Sequence, residues 1–182
     1  MEGRSLHPFE DITPGAVYWL TGLAGAGKTT VARRLFSTLR DRNANVILLD
    51  GDILREVYGD SPGHHMEGRR IAAWRHAHMC HMLSQQGIDV VIATISMFHE
   101  IHAWNRAHMS GYREVYLEVP MKTLRERDQK SLYSKAFSGE MPNVLGVDLI
   151  PEYPASPHVQ ILNDGSRSVD EVLADCLRQL EL

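Results

Sequence analysis

A run of small residues closed by a lysine and a hydroxyl, Gly22-Leu23-Ala24-Gly25-Ala26-Gly27-Lys28-Thr29, constrains this chain more than any other feature. The apolar segment Val17 to Thr21 precedes it. After it come Thr30 and apolar residues at Val31, Leu35, Phe36 and Leu39, which is a helical spacing. A strand that passes through a glycine-rich turn into a helix aims successive backbone N–H groups at one point. The positive end of the helix dipole adds to the same point, so the turn is built to hold an anion. A chance glycine turn would have no need of Lys28 and Thr29. Their presence in this context marks a nucleoside-triphosphate site, with Lys28 reaching the β- and γ-phosphates and the Thr29 hydroxyl ligating Mg2+.

The alternation continues to the end of the chain. Val46 to Leu49 reads as a second strand, closed by Asp50-Gly51-Asp52, and Arg69 to Gln86 as a long helix stopped by Gly87. Asp89 to Ile95 is a third strand, with the uniform apolarity of a parallel strand buried on both faces. Glu114 to Val119 and Val159 to Leu162 supply two more strands. Leu124 to Arg127 lies in a helix, and Val169 to Leu180 forms a closing helix with Ser168 as its N-cap. This order predicts an α/β protein of P-loop NTPase fold, a parallel five-stranded sheet flanked by helices on both faces. With 182 residues, no internal repeat and no linker composition, one domain over 1–182 is expected, with 1–15 as a lead-in. From about 128 to 157 neither period fits, and this polar, proline-bearing stretch reads as a lid.

Composition removes several classes of function. Nineteen basic against twenty-three acidic residues give a net charge of −4, which offers no polybasic surface for nucleic acid. The longest apolar stretch, around Val90 to Phe98, is too short to span a bilayer, and the N-terminus has no signal-peptide core, so no membrane partner is expected. Cys80 and Cys176 form no CxxC pair, which points to a reducing, cytoplasmic setting.

Asp50-Gly51-Asp52 stands at the carboxyl end of the second strand, the edge of an open α/β sheet where ligands sit. One carboxylate there can take a proton from an attacking hydroxyl, and the other can hold a Mg2+-bound water. Arg55, Arg69 and Arg70 stand where guanidinium forks would hold an anionic acceptor. Arg127, Lys130 and Lys135 could close over triphosphate charge from the lid. Eight of the ten histidines fall between His64 and His108, with His76, His78 and His81 on one helix. They lack the spacing of a zinc site, and nearby Met79, Met82 and Met97 read as core filler.

Taken together, these residues resemble the adenylyl-sulfate (APS) kinases, P-loop kinases that phosphorylate the ribose 3′-hydroxyl of adenosine 5′-phosphosulfate. The likeness runs from about Val17 to Leu162. It comprises the TGLAGAGKTT loop, Leu49-Asp50-Gly51-Asp52 with Arg55, Ile95-Ser96, Arg127-Asp128-Gln129-Lys130-Ser131-Leu132-Tyr133, Gly139-Glu140 and Gly146-Val147-Asp148. The resemblance implies ATP and Mg2+ as cofactors, a small nucleotide as acceptor and, commonly, a homodimer. It makes Asp52 the base at the 3′-hydroxyl and Asp50 a helper near Mg2+, with Lys28 on the phosphates. Arg55 and Arg69 would hold the acceptor's anionic end. Ile95, Ser96 and Lys130 would line its site, Asn143 and Val144 would lie at its lid, and Arg127 against ATP.

The departures from the family pattern fall on the acceptor side. DGDN becomes Asp50-Gly51-Asp52-Ile53, an aromatic that stacks on adenine becomes His64, a second one in the lid becomes Val144, and an Asn becomes Ala72. Base–aromatic stacking is worth roughly 1–3 kcal/mol per base, so the loss bears on adenine more than on phosphoryl transfer. By family the acceptor is APS. The alternative is a cytidine nucleotide such as cytidine diphosphoramidate, acceptor of a related branch that serves cell-surface polysaccharide decoration. A regulator that binds ATP without turnover is the reading from another class, and the retained Lys28, Thr29, Asp50, Asp52 and Arg127 argue against it.

Overall fold

The computed structural model describes residues 12–42, 45–59 and 62–182; most of the expected lead-in, 1–11, lies outside them. Strands β1 (Val17–Thr21), β2 (Val46–Asp50), β3 (Asp89–Ala93), β4 (Tyr112–Glu118) and β5 (Val159–Leu162) form one sheet in the order β2-β3-β1-β4-β5. Every pairing is parallel. Helices α1 (Lys28–Asp41) and α7 (Val169–Leu180) cover one face; α3 (Met66–Ser84) and α4 (His99–His108) cover the other. Because strand side chains alternate, β1 sends Tyr18 and Leu20 into the first core and Val17 and Trp19 into the second. This is the α/β P-loop NTPase architecture that the sequence predicts.

The boundaries differ where capping chemistry is unusual. The long helix begins at Met66 rather than Arg69, because the His65 ring accepts a hydrogen bond from the Gly68 N–H at 3.1 Å and serves as its cap. The third strand ends at Ala93, and the chain then runs outside regular structure through Thr94, Ile95 and Ser96 to α4. Three helices lie where no helix is expected: α2 (Gly51–Tyr58) directly after β2, α4, and a short one within the expected lid. The stretch from 128 is partly helical. After α5 (Met121–Arg127) a 3₁₀ turn, Gln129–Ser131, leads into the short α6 (Leu132–Phe137). Ser168 caps α7 in a reciprocal pair with Glu171. Among the described residues, no helix is long and apolar enough to cross a membrane.

Gly68 fixes the entry into α3. A methyl there would overlap the Pro62 carbonyl, so the 62–65 loop rests directly on helix backbone. Gly68→Ala is expected to destabilise by about 1–3 kcal/mol, as overpacking does, and to lower the melting temperature by roughly 5 °C. Thermal unfolding followed by circular dichroism checks this; an unchanged melt would show that the loop yields freely.

Candidate active site

The Gly22–Thr29 turn is held by its own lysine and by three side chains from outside. Four consecutive carbonyl oxygens each accept a side-chain hydrogen bond: Leu23 from Lys28 Nζ at 2.9 Å, Ala24 from the Tyr133 hydroxyl at 2.8 Å, Gly25 from Arg127 Nη1 at 3.2 Å and Ala26 from Asn163 Nδ2 at 2.9 Å. Gly25 and Gly27 have φ of 75° and 90°, the left-handed region in which a side chain would be strained. Gly27 is also the N-cap of α1, so the turn delivers its amides to a helix N-terminus. Gly22, Leu23 and Ala26 are buried; Ala24, Gly25, Gly27, Lys28, Thr29 and Thr30 border a cleft of about 910 Å³.

Across the cleft lie the carboxylates. The Thr29 hydroxyl donates to Asp50 Oδ2 at 2.8 Å, and Asp50 Oδ1 accepts from the Asp52 N–H at 3.0 Å, capping α2. A hydroxyl and a carboxylate in contact are hard oxygen donors of the kind Mg2+ takes. Asp52 projects from the first turn of α2 into the cleft, within electrostatic reach of Lys28, Arg55, His64 and Arg69. Burial pushes the Lys28 ammonium down to about 8, partly offset by Asp52 and Asp50.

Arg69 joins the two walls of the far end. Its Nε donates to the His64 carbonyl at 2.7 Å and its Nη2 to the Asn143 carbonyl at 2.8 Å. The loops that carry His64 and Val144 are thereby clamped by one guanidinium. His64 and Val144 border the cleft, as do Arg55, Ala72, Ile95, Ser96, Arg127 and Lys130. Burial and the charges of Arg55 and Arg69 lower the His64 pKa, which keeps this ring neutral near pH 7. Arg70 turns away, paired with Glu100 and lying over Phe98.

Three expected positions fall elsewhere. Ile53 is 55% exposed on α2 and does not border the cleft, so its difference from the family's Asn changes no cleft wall. Asn143 does not border the cleft either; its contribution is the carbonyl that Arg69 holds and an N–H given to Asp148 at 2.6 Å. Lys135 points to solvent from α6.

The structure adds residues that the sequence reading passed over. Asn163 stands one residue beyond β5, at the ligand edge of the sheet, and its position alone could have flagged it. His76 lies seven residues from Arg69 and four from Ala72, on the same helical face, and borders the cleft beneath Gly51. Its Nδ1 is 3.1 Å from Thr94 Oγ1, which is 2.7 Å from Ser96 Oγ. On the opposite side, His102 Nε2 donates to the Ser96 carbonyl at 2.9 Å, and its Nδ1 lies 3.2 Å from Glu114 Oε1.

A glycine-rich turn leading into a helix N-terminus, a hydroxyl–carboxylate pair and a cleft end lined by Arg55 and Arg69 on this sheet fit a P-loop nucleotide kinase. Residues 14–162 match the model of the adenylylsulphate kinase family, and the chain belongs to that family. It is 40% identical to the cytidine diphosphoramidate kinase of Campylobacter jejuni over 91% of this chain and 96% of that one. It is 36% identical to the adenylyl-sulfate kinase of Deinococcus deserti over 85% and 86% of the two chains. Among solved structures it resembles the Mycobacterium tuberculosis APS kinase in complex with AMPPNP and APS. The TM-score is 0.84 and the identity 30%, covering 93% of this chain and 99% of that one.

The lowered Lys28 pKa sets a pH dependence. In the free protein the ammonium loses its proton as pH rises through about 8, and with it the attraction for triphosphate. The kcat/KM for ATP, which reports groups of the free enzyme, is expected to fall above about 8. A steady-state pH profile checks this, and a profile still flat at pH ~9.5 would show that Lys28 keeps its proton to that pH.

Proposed function

We propose that this protein transfers the γ-phosphoryl group of ATP to the ribose 3′-hydroxyl of a cytidine nucleotide, with cytidine diphosphoramidate as the acceptor. The observation that carries the choice is the 40% identity, over 96% of its length, to a kinase of that name. The cleft supports it. The two positions where the resemblance places adenine-stacking rings are His64 and Val144, on the loops that Arg69 clamps together. A smaller pyrimidine suits an imidazole facing an aliphatic side chain.

The amides of the 22–29 turn, the α1 N-terminus and Lys28 bind the triphosphate of ATP. Arg127 braces the turn through the Gly25 carbonyl. Asp52 orients the 3′-hydroxyl and accepts its proton while the oxygen attacks the γ-phosphorus in line. The new O–P bond forms as the bond to the β-phosphate oxygen breaks, and ADP leaves. Thr29 and Asp50 would hold Mg2+, which supplies charge neutralisation at the β- and γ-phosphates. Arg55 and Arg69 bind the acceptor's diphosphate end, beside the wall made by Ile95 and Ser96. Closure of the segment from about 128 to 157, with Lys130 at its base, would exclude water from the transferring group. A homodimer is proposed on the family resemblance, and the free, buried Cys80 and Cys176 fit a reducing, cytoplasmic setting.

Purified protein with ATP and Mg2+ is offered APS, CDP, cytidine diphosphoramidate or no acceptor, and ADP release is followed. Turnover is expected with cytidine diphosphoramidate. Turnover confined to APS, the ligand held by the 30% identical kinase, would return the assignment to adenine. Asp52→Asn is expected to lower kcat at least ~100-fold with little change in ATP binding, as loss of a general base does. An unchanged kcat would leave Asp52 outside the chemistry.

A further inference from the structure

His76 is a buried histidine in a cleft wall that the mechanism above does not use. Its side chain is 2% exposed, packed beside the Tyr58 ring, and close enough to Gly51 to border the turn between Asp50 and Asp52. Its two nitrogens have different surroundings. Nδ1 lies 3.1 Å from Thr94 Oγ1 and 3.5 Å from Ser96 Oγ, whereas Nε2 is buried with no hydrogen-bond partner among the described residues. Thr94 and Ser96 hydroxyls are themselves 2.7 Å apart, and Ser96 borders the acceptor end of the cleft.

The proton on a neutral imidazole decides the direction of the whole chain. With the proton on Nε2, a donor would be buried unpaired, Thr94 would donate to Nδ1, Ser96 would donate to Thr94, and the cleft would meet only lone pairs. With the proton on Nδ1, the imidazole donates to Thr94 and Thr94 donates to Ser96. The Ser96 O–H is then left to point outward. Orphaned buried N–H groups are rarer in proteins than under-satisfied acceptors, so the second arrangement is the favoured one. Burial lowers the His76 pKa to about 4, so the ring stays neutral through the physiological range.

We infer that His76 is a positioning residue that sets the Thr94–Ser96 hydroxyl chain so that Ser96 offers an O–H to a hydrogen-bond-accepting atom of the acceptor nucleotide. A pyrimidine carbonyl oxygen or ring nitrogen belongs to that class; an exocyclic amine does not. The inference rests on the reading of the Ser96 end as the acceptor site, and it deepens that reading by naming what selects the acceptor's polar edge.

Two substitutions separate orientation from packing. His76→Asn places an amide N–H near the position of Nδ1, while His76→Gln carries its amide one bond further, toward Nε2. Ser96→Ala removes the donor. Steady-state kinetics are run with whichever of cytidine diphosphoramidate and APS is turned over. H76Q and S96A are each expected to raise the KM for that acceptor about tenfold, the scale of one lost hydrogen bond, with the KM for ATP unchanged. H76N is expected to stay within about threefold of the parent, and the H76Q/S96A double variant to be no worse than either single one. The inference is overturned if H76N and H76Q behave alike, if the double variant multiplies the two losses, or if the KM for ATP rises in step. Turnover of APS alone would end the cytidine assignment, while coupling between His76 and Ser96 would still be read on APS.

Discussion

The outward tethering of four successive carbonyl groups, Leu23 to Ala26, is the constraint on which the rest of the site depends. A backbone turn can offer amides to an anion only if its carbonyls, which would repel that anion, are aimed elsewhere and satisfied there. Lys28 closes the turn on itself, while the other three tethers come from distant parts of the chain: Arg127 and Tyr133 from the 121–137 region, and Asn163 from beyond β5. The geometry of the turn is thus largely a property of the folded chain. A peptide of the same sequence would lack those three partners. Tyr133 and Arg127 also bind the start of the lid segment to the phosphate turn, so any movement of that segment is felt at Ala24 and Gly25.

The two ends of the cleft are built from different materials. The phosphate end is backbone and helix terminus, fixed by the tethers, and it recognises a group common to every nucleoside triphosphate. The proposed acceptor end is made of side chains, the helix-borne Arg55 and Arg69 and several on loops: His64 before α3, Val144 in the lid, and Ile95 and Ser96 after β3. Arg69 draws the first two together through carbonyl oxygens, which any residue at 64 or 143 would provide. The clamp therefore tolerates replacement of the side chains it brings face to face. That division lets an acceptor preference change while the phosphoryl-transfer geometry stays intact.

The five strands, their parallel pairing and the phosphate turn were legible in the sequence because each rests on local chemistry: apolar runs, glycine spacing, and the lysine–hydroxyl pair; the spatial order of the strands was not. What escaped was masked by polar residues in structural roles. Of the three buried residues of α4, His102 and Asn105 are polar, so no apolar period marks the helix. Helix α2 follows β2 without a linker, and Asp50-Gly51-Asp52 reads as a turn because the same Asp50 serves both as strand end and as helix cap. Helix α3 starts early on a histidine cap, outside the usual Ser, Thr, Asp and Asn set. Ile53 was misplaced because a motif position was carried over without its helical phase; one step beyond Asp52 on α2 is about 100° round the helix and faces solvent.

Two of the eight histidines between 64 and 108, His76 and His102, serve the segment Thr94 to Ser96. This stretch follows β3 along the cleft and keeps two bonds to β1: the Thr94 N–H donates to the Leu20 carbonyl at 3.0 Å, and the Thr21 hydroxyl to the Ile95 carbonyl at 2.7 Å. Two buried imidazoles add to them. From α3, His76 reaches the hydroxyls; from α4, His102 holds the Ser96 carbonyl, with Glu114 of β4 behind it and Arg106 on that carboxylate at 2.5 Å. Imidazole suits the task because it is long enough to bridge from a helix, carries a donor and an acceptor on one rigid ring, and avoids the desolvation penalty of a buried charge while neutral. Burial lowers the pKa of His76 to about 4, so this ring needs no proton from solvent near pH 7. The wall that meets the acceptor is thereby ordered by side chains from both helices, and a change in either histidine reaches the cleft through Ser96.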